Sequence, residues 1–149
     1  MVGWGGSYVL SSGPVSLKAD VRPESRVVVF KLGGKGKLPP PQQAPRDVPE
    51  PPALTAGEDQ IAAGRHLYQL NCSNCHGPTA ISGGVLPDLR YLTAEKHLQF
   101  KGILSGARVN RGMPSFAKVL SSEEMEHVHQ FLIKRAHDLR ADLAAMARK

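Results

Sequence analysis

The chain has 149 residues, a net charge of +6 at pH 7, 41% hydrophobic residues and only 5% aromatic residues. This length allows one ordinary domain but not two large ones, and no apolar run approaches the ~18 residues of a transmembrane helix. The charge is divided evenly along the chain instead of forming a patch or a basic arm, which argues against a nucleic-acid partner. So few aromatic residues suggest that another apolar group contributes to the core.

The first third of the chain combines strand-like and proline-rich segments. Residues 1–37 are rich in glycine and β-branched residues, and the runs 7–10 and 26–31 have the composition of strands. Seven of the twelve prolines lie in residues 38–53, and this density favours extended polyproline geometry over helix or central strand. We therefore predict a β/extended segment over residues 1–37 and a linker over residues 38–54.

The remainder of the chain carries helix signals. Three segments begin like helices: Thr55 with Glu58 and Ser121 with Glu124 have the spacing of capping boxes, and Thr93 can cap a short helix that Gly106 closes. After Ser121, apolar residues recur at three- and four-residue spacing, as on the buried face of a helix. The sequence thus predicts an all-α domain over residues 55–138 and a C-terminal helical tail over residues 139–149.

The two cysteines of the chain, Cys72 and Cys75, form a Cys-x-x-Cys pair that His76 follows directly. Such a pair can be a redox dithiol, half of a zinc site or the attachment site of c-type haem. Zinc would need further ligands, and the other histidines lack the spacing of a zinc finger. A thioredoxin-like dithiol would need a βαβ setting. Haem is favoured because two thiols can bond to the vinyl groups on one porphyrin edge while the imidazole binds the iron.

A haem that carries electrons needs a sixth iron ligand, normally methionine or histidine. Met113 lies in a glycine–proline loop between two predicted helices, where Pro114 fixes the backbone. The alternatives are weaker: Met1 is terminal, Met146 lies in a polar tail, Met125 faces the core, and His97, His127, His129 and His137 lie in helical segments. We therefore predict Met113 as the sixth ligand. The alternative is that its side chain only covers the loop as a hydrophobic contact.

Two further residues are candidates for supporting the cofactor. A ligating histidine usually donates its second ring N–H to an acceptor, and the rigid carbonyl of Pro87 is our candidate acceptor for His76. Arg90 could pair with a haem propionate, although an arginine at a loop end is more often simply solvated.

With these residues identified, residues 55–137 resemble class I cytochrome c. Gly64 and Tyr68 match the glycine and the aromatic residue at which the N-terminal helix of that family crosses the C-terminal helix. The other half of the crossing is matched by Val128, Phe131 and Leu132. The cysteine motif, Pro87 and Met113 follow in the family's order. The resemblance implies three main helices around one covalent haem c, with Tyr68 among the cofactor-binding residues.

The resemblance extends upstream of the helical domain. Residues 27–34, the run Leu38-Pro39-Pro40 and residues 83–90 look like the C-terminal part of a PQQ-dependent quinohaemoprotein alcohol dehydrogenase (type II). In that family an eight-bladed propeller holds pyrroloquinoline quinone and calcium, and a proline-rich linker joins it to a cytochrome c domain. Most of the propeller is missing here, together with the family's calcium ligands and catalytic aspartate. We therefore expect residues 1–37 to be a remnant of terminal propeller strands, and no catalytic residue of alcohol oxidation in this chain.

The function implied by the resemblance is electron transfer. Single electrons would pass from a PQQ-containing propeller domain through the Fe(II)/Fe(III) haem to a soluble cupredoxin or cytochrome in the periplasm. Five basic residues near the expected haem edge could steer an acidic acceptor or merely keep the domain soluble: Lys96, Lys101, Arg108, Arg111 and Lys118. Covalent haem implies export, yet the N-terminus resembles no signal peptide. We therefore expect the chain to be a fragment, an engineered protein, or a sequence with a wrongly assigned start codon. Alternatively, a signal peptide was removed and a Met restored.

Two other functions stay open at this point. The chain could be a separately encoded cytochrome subunit that completes a PQQ dehydrogenase by non-covalent assembly. It could also hold a ligand-sensing or peroxidatic haem, which would need an open sixth position instead of ligation by Met113.

Overall fold

The computed structural model describes residues 30–37, 47–81 and 86–148, and all regular structure within these ranges is helical. The prediction of an all-α domain is confirmed for this part of the chain. The two strand-like runs and residues 38–46 of the proline-rich segment lie outside the described residues, apart from the end of the second run. None of the described helices is both long and apolar enough to cross a membrane.

Five α-helices follow one another in the part of the chain that the structure describes. They are α1 (Glu58–Asn71), α2 (Ser73–His76), α3 (Ala94–Leu98), α4 (Phe100–Gly102) and α5 (Ser122–Met146), with 3-10 turns at Leu89–Tyr91 and Val109–Arg111 and a π-helical turn at Ile103–Ala107. The long helices α1 and α5 pack against each other, and the short elements between them surround the apolar side of this pair. The predicted tail at residue 139 is the uninterrupted end of α5.

The start of α1 differs from the prediction. Gly57, not Thr55, is the N-cap, and its N–H donates to Oε1 of Gln60 at 3.2 Å. The N–H of Thr55 instead donates to Oε1 of Gln130 on α5, also at 3.2 Å. Thr55 is therefore held by a partner 75 residues away, which no local capping pattern could indicate.

The other two helix starts agree with the sequence. Ser121 Oγ accepts from the N–H of Glu124 at 3.1 Å, and the Glu124 carboxylate accepts from the N–H of Ser121 at 2.7 Å, which completes the predicted capping box. Thr93 caps α3 through the N–H of Lys96. The helical stretch that begins there is interrupted at Gly106, the glycine predicted to close it. Its φ of +120° is a value that glycine adopts readily and other residues only with strain.

The crossing of α1 and α5 forms the centre of the core. Gly64 is buried at the point of closest approach, where a Cβ added to it would lie 1.9 Å from the carbonyl oxygen of His127. One turn further along α1, the ring of Tyr68 packs against that of Phe131 with 5.2 Å between centroids. Val128 and Leu132 are fully buried beside them. This is the crossing that the family resemblance implies.

Residues 47–57 lie along α5 as an extended strap. Arg140 donates to the carbonyl oxygen of Val48 at 3.0 Å and forms an ion pair with Glu50. Further along, the carbonyl oxygen of Pro52 contacts Nε2 of His137 at 2.9 Å. The last residues of the predicted linker, from Val48 onward, are thus tied to the helical domain.

Candidate functional site

The two cysteines and the histidine lie on a single helical turn. Cys72 is the N-cap of α2, and its carbonyl oxygen accepts from the N–H groups of Cys75 and His76 at 3.2 and 2.9 Å. Both thiols are free, with Cys72 buried and Cys75 exposed. Burial, with the neighbouring Cys75 adding to the effect, raises the pKa of the Cys72 thiol to about 11. The turn therefore presents two free thiols and an imidazole in close sequence.

The imidazole of His76 is oriented by a backbone acceptor. Its Nδ1 lies 3.1 Å from the carbonyl oxygen of Pro87. A carbonyl can only accept, so Nδ1 carries the proton and Nε2 keeps a lone pair for a metal. Burial lowers the pKa of His76, against smaller opposing effects of the Pro87 carbonyl and the Asp88 carboxylate. His76 is thus a neutral imidazole in the tautomer that ligation through Nε2 requires.

Tyr68 links α1 to the end of this turn. Its side chain is completely buried, and its hydroxyl donates to the carbonyl oxygen of Gly77 at 2.6 Å. Burial raises the pKa of Tyr68, so the hydroxyl remains a donor. Next to it, the amide of Gln69 donates to the carbonyl oxygen of Pro78. The peptide that follows His76 is therefore held by two side chains of α1.

Arg90 forms a closed pair with Asp88. Its Nε and Nη2 donate to the two carboxylate oxygens at 3.0 and 2.7 Å, and its own N–H donates to Oδ1 at 3.0 Å. The arginine is only 7% exposed. Arg90 was predicted as a single site residue, without Asp88; an acidic residue two positions before an arginine is the signal in the sequence that indicates the pair.

Met113 lies in the loop between the π-helical turn and α5. Gly112, with a φ of +85°, turns the chain immediately before it, and the N–H of Met113 donates to the carbonyl oxygen of Arg108 at 3.3 Å. Its half-buried side chain packs against the apolar cluster that contains Cys72 and Tyr68. The loop is anchored to the preceding helical turns by Phe116, whose N–H donates to the carbonyl oxygen of Leu104 at 2.7 Å.

Four other histidines and two of the basic residues are used in surface and packing contacts. His97 and His129 contact each other, His127 lies 4.0 Å from Glu123, and His137 contacts the strap. Lys96 and Lys101 form ion pairs with Glu95 and Glu126 at 3.1 and 3.4 Å. None of these contacts involves a residue of the cysteine turn.

The donor set suits a haem better than a bare ion. Within the described ranges, no three side chains of His, Cys, Asp or Glu come together as ligands for a metal ion. Two thiols on one turn can hold a porphyrin edge, and His76 offers Nε2 to its iron. Met113 adds a thioether on the same apolar cluster as Cys72. The residues present therefore fit a covalently attached haem.

Comparison with known families leads to the same conclusion. Residues 59–132 match the family model described as cytochrome c oxidase, cbb3-type, subunit III. Residues 59–132 form a cytochrome c domain. The match contains both cysteines, His76 and Met113, and it ends within α5, so the strap and the end of this helix lie outside it.

Relatives of the cytochrome c domain occur as parts of larger proteins. The chain is 54% identical over 139 residues to the quinohemoprotein alcohol dehydrogenase ADH-IIG of Pseudomonas putida, covering 93% of the chain and 19% of the relative. It is 35% identical over 147 residues to a 1-butanol dehydrogenase (cytochrome c) of Thauera butanivorans, covering 93% and 20%. The chain thus spans about a fifth of the length of these relatives.

A solved structure shows the same likeness. The structure of quinohemoprotein alcohol dehydrogenase ADHIIG from Pseudomonas putida HK5 matches with a TM-score of 0.74 and 53% sequence identity, covering 95% of this chain and 20% of that one. The matched part of this relative is its C-terminal cytochrome c region. The arrangement of α1, α5 and the cysteine turn is therefore that of a cytochrome c domain.

Proposed function

We propose that this cytochrome c domain carries single electrons as the electron-accepting domain of a quinohaemoprotein alcohol dehydrogenase. The observation that carries the proposal is the turn from Cys72 to His76, with His76 hydrogen-bonded to Pro87, in a chain 54% identical to part of such an enzyme. Because the chain spans about a fifth of that relative, alcohol oxidation with PQQ and calcium belongs in this proposal to a propeller domain outside the matched region.

Each site residue has a definite role in this proposal. When bound, haem c supplies a one-electron Fe(II)/Fe(III) couple. Cys72 and Cys75 would hold it through thioether bonds, and His76 would offer Nε2 to the iron while Pro87 keeps the proton on Nδ1. Met113 would offer its thioether sulfur to the iron, and such a ligand favours the reduced state more than a second histidine would.

Two other residues support the site without binding the iron. Tyr68 keeps the Gly77 peptide, and with it the end of the cysteine turn, in place through its 2.6 Å hydrogen bond. Nη1 of Arg90, the guanidinium nitrogen outside the pair with Asp88, is our candidate for contact with a haem propionate.

The proposal includes a location and an electron acceptor. Haem c attachment and the relationship to quinohaemoprotein dehydrogenases support a periplasmic protein. A soluble cupredoxin or cytochrome with acidic surface groups is the proposed acceptor. Among the basic residues named above, Arg108, Arg111 and Lys118 lie in or near the loop of Met113, so a negatively charged partner would be attracted to this side of the domain.

The first test of the proposal is covalent haem attachment. We expect the chain, exported in a host with the c-type maturation machinery, to retain haem through denaturing electrophoresis. Cys75→Ser should leave at most one thioether bond, which mass spectrometry of a proteolytic digest measures directly. A wild-type protein that loses all its haem on denaturation would contradict the assignment of the cysteine turn.

The second test concerns the axial sulfur. In the oxidised haem protein, Met113→Ala is expected to abolish the weak far-red charge-transfer band that a methionine–iron bond produces, because the alanine cannot coordinate. Met125→Leu is the matched control, since Met125 is buried in the core cluster. An unchanged spectrum of Met113→Ala would contradict ligation by Met113, and loss of the band in Met125→Leu would redirect the assignment.

A further inference from the structure

We propose that Asp88 and Arg90 are positioning residues for the axial imidazole. Their buried pair holds the Pro87 carbonyl in the direction of Nδ1 of His76, although neither side chain needs to touch the iron. The inference rests on the proposed function, since it concerns a histidine that binds haem iron. It differs from the candidate contact of Arg90 with a propionate, because it gives the arginine a role that runs through the protein backbone.

Asp88 and Arg90 form a two-point ion pair directly after Pro87 in sequence, which we call the fork. Three donors of Arg90, its N–H, Nε and Nη2, reach the Asp88 carboxylate at 3.0, 3.0 and 2.7 Å. The side chains are 8% and 14% exposed, so water competes little for these bonds. A two-point contact of guanidinium with carboxylate specifies orientation as well as distance. Asp88 is therefore fixed both as the cap of the 3-10 turn at Leu89–Tyr91 and as one half of an ion pair.

The turn that carries the pair is itself anchored in the core. The N–H of Leu89 donates to the carbonyl oxygen of Ala80 at 3.2 Å, and Tyr91 is buried. The guanidinium of Arg90 lies over the Tyr91 ring at 5.9 Å from its centroid. The residues directly after Pro87 thus have a fixed place relative to the helices.

This anchoring decides where the Pro87 carbonyl points. The proline ring already restricts φ of Pro87, so the main remaining freedom is its ψ, which determines the position of Asp88. Because the fork and the core contacts hold Asp88, they also hold ψ and keep the carbonyl oxygen 3.1 Å from Nδ1 of His76. Without the fork, the carbonyl would be free to rotate away from the imidazole.

The consequence is electronic as well as structural. Donation of the Nδ1 proton to a carbonyl increases the basicity of the imidazole, and a more basic axial ligand stabilises Fe(III) over Fe(II). Loosening this hydrogen bond should therefore raise the reduction potential. Charge alone predicts something different. Loss of the Asp88 carboxylate destabilises Fe(III) and raises the potential, whereas loss of the Arg90 cation stabilises Fe(III) and lowers the potential.

The experiment uses three variants of the haem-loaded full chain: Asp88→Asn, Arg90→Gln and Arg90→Lys. The first two break the fork by removing one charge each, and the third keeps the charge but loses the two-point geometry. Asp59→Asn and Arg65→Gln, at exposed positions on α1, are the matched controls. The readouts are the midpoint potential and, in the reduced diamagnetic protein, the rate at which the Nδ1 proton of His76 exchanges with solvent.

We expect all three variants to raise the potential and to speed exchange of the Nδ1 proton, the latter on the order of tenfold, as for loss of one hydrogen bond. Both controls should match the wild type. A lower potential in Arg90→Gln with no change in Arg90→Lys would show that only charge matters and would overturn the inference. Unchanged exchange in the variants would also overturn it.

The outcomes separate this inference from the proposed function. Wild-type protein with covalent haem but unchanged variants contradicts only the positioning role. Wild-type protein without covalent haem contradicts both. If Arg90→Gln yields no folded holoprotein, the charge-conserving Arg90→Lys and the nearly isosteric Asp88→Asn still decide the question.

Discussion

Replacing Gly64 with alanine is expected to lower the free energy of unfolding of the haem protein by about 3 kcal/mol. The added Cβ would lie 1.9 Å from the carbonyl oxygen and 2.5 Å from the carbonyl carbon of His127. These are backbone atoms of α5, so no rotamer change can relieve the clash, and the two long helices must move apart. The gain of about 1 kcal/mol that alanine normally brings to a helix interior is too small to offset this. Denaturant unfolding monitored by circular dichroism measures the effect.

The matched control for this prediction is Gly102→Ala. Gly102 is also helical, with a φ of −62°, and a Cβ added there meets nothing within 4 Å. We expect this variant to equal the wild type or to exceed it by up to about 1 kcal/mol. Equal stabilities of the Gly64 and Gly102 variants would mean that α1 and α5 do not approach each other as closely as described.

The second large effect concerns a pair of buried imidazoles. Nδ1 of His97 on α3 lies 2.8 Å from Nε2 of His129 on α5, and the ring of His129 stacks on Phe100 at 4.4 Å between centroids. One nitrogen donates and the other accepts, so the two rings cannot both be charged while this hydrogen bond is kept. Within the described part of the chain, Nε2 of His97 is buried without a hydrogen-bond partner. A second proton would therefore enter a place with no acceptor.

Acid is expected to destabilise the fold through this pair. Burial, and then the charge of His129, lowers the pKa of His97 from 6.5 to about 4. Burial also lowers the pKa of His129, with Lys101 adding to the effect and the Glu126 carboxylate opposing it. Since the unfolded chain binds these protons more readily, the contribution is complete above pH 6.5 and disappears as the pH falls towards 4. At about 1.4 kcal/mol per pKa unit, we expect a loss of about 3 kcal/mol by pH 4.

The measurement is the free energy of unfolding of the oxidised haem protein across this pH range. His97→Gln should show a clearly smaller loss than the wild type, because a neutral amide replaces the imidazole of His97. His66→Gln, at an exposed position on α1, should keep the wild-type dependence. If His97→Gln and His66→Gln have the same pH profile as the wild type, the acid sensitivity has another source.

Much of the cofactor site could be predicted because its chemistry depends on local spacing. The motif places two thiols and an imidazole within five residues, and this spacing indicates haem attachment whatever the surrounding fold. A methionine in a glycine–proline loop is likewise recognisable as a candidate ligand from the sequence alone. Likewise, the pairing of Ser121 with Glu124 was predictable, since a capping box needs only the first turn of its helix. The hydrogen bond of His76 to Pro87 was an expectation from ligand chemistry, and the structure shows it at 3.1 Å.

Other features became visible only after the chain had folded. Thr55 has the local pattern of a cap but is engaged by Gln130, and His97 meets His129 across 32 residues. Sequence patterns carry no information about such partners, because their contact exists only once α5 packs on α1 and on the short helices.

By itself, the sequence determined the helical class of the described domain, the haem attachment motif and the candidate axial ligands. The tertiary structure decided how these groups are held: the closeness of Gly64 to α5, the path of the strap at residues 47–57, and the fork of Asp88 and Arg90 behind Pro87. The physical reason is that bond-forming groups are recognised by type and spacing along the chain. Orientation, in contrast, depends on backbone groups and buried partners that only packing brings together.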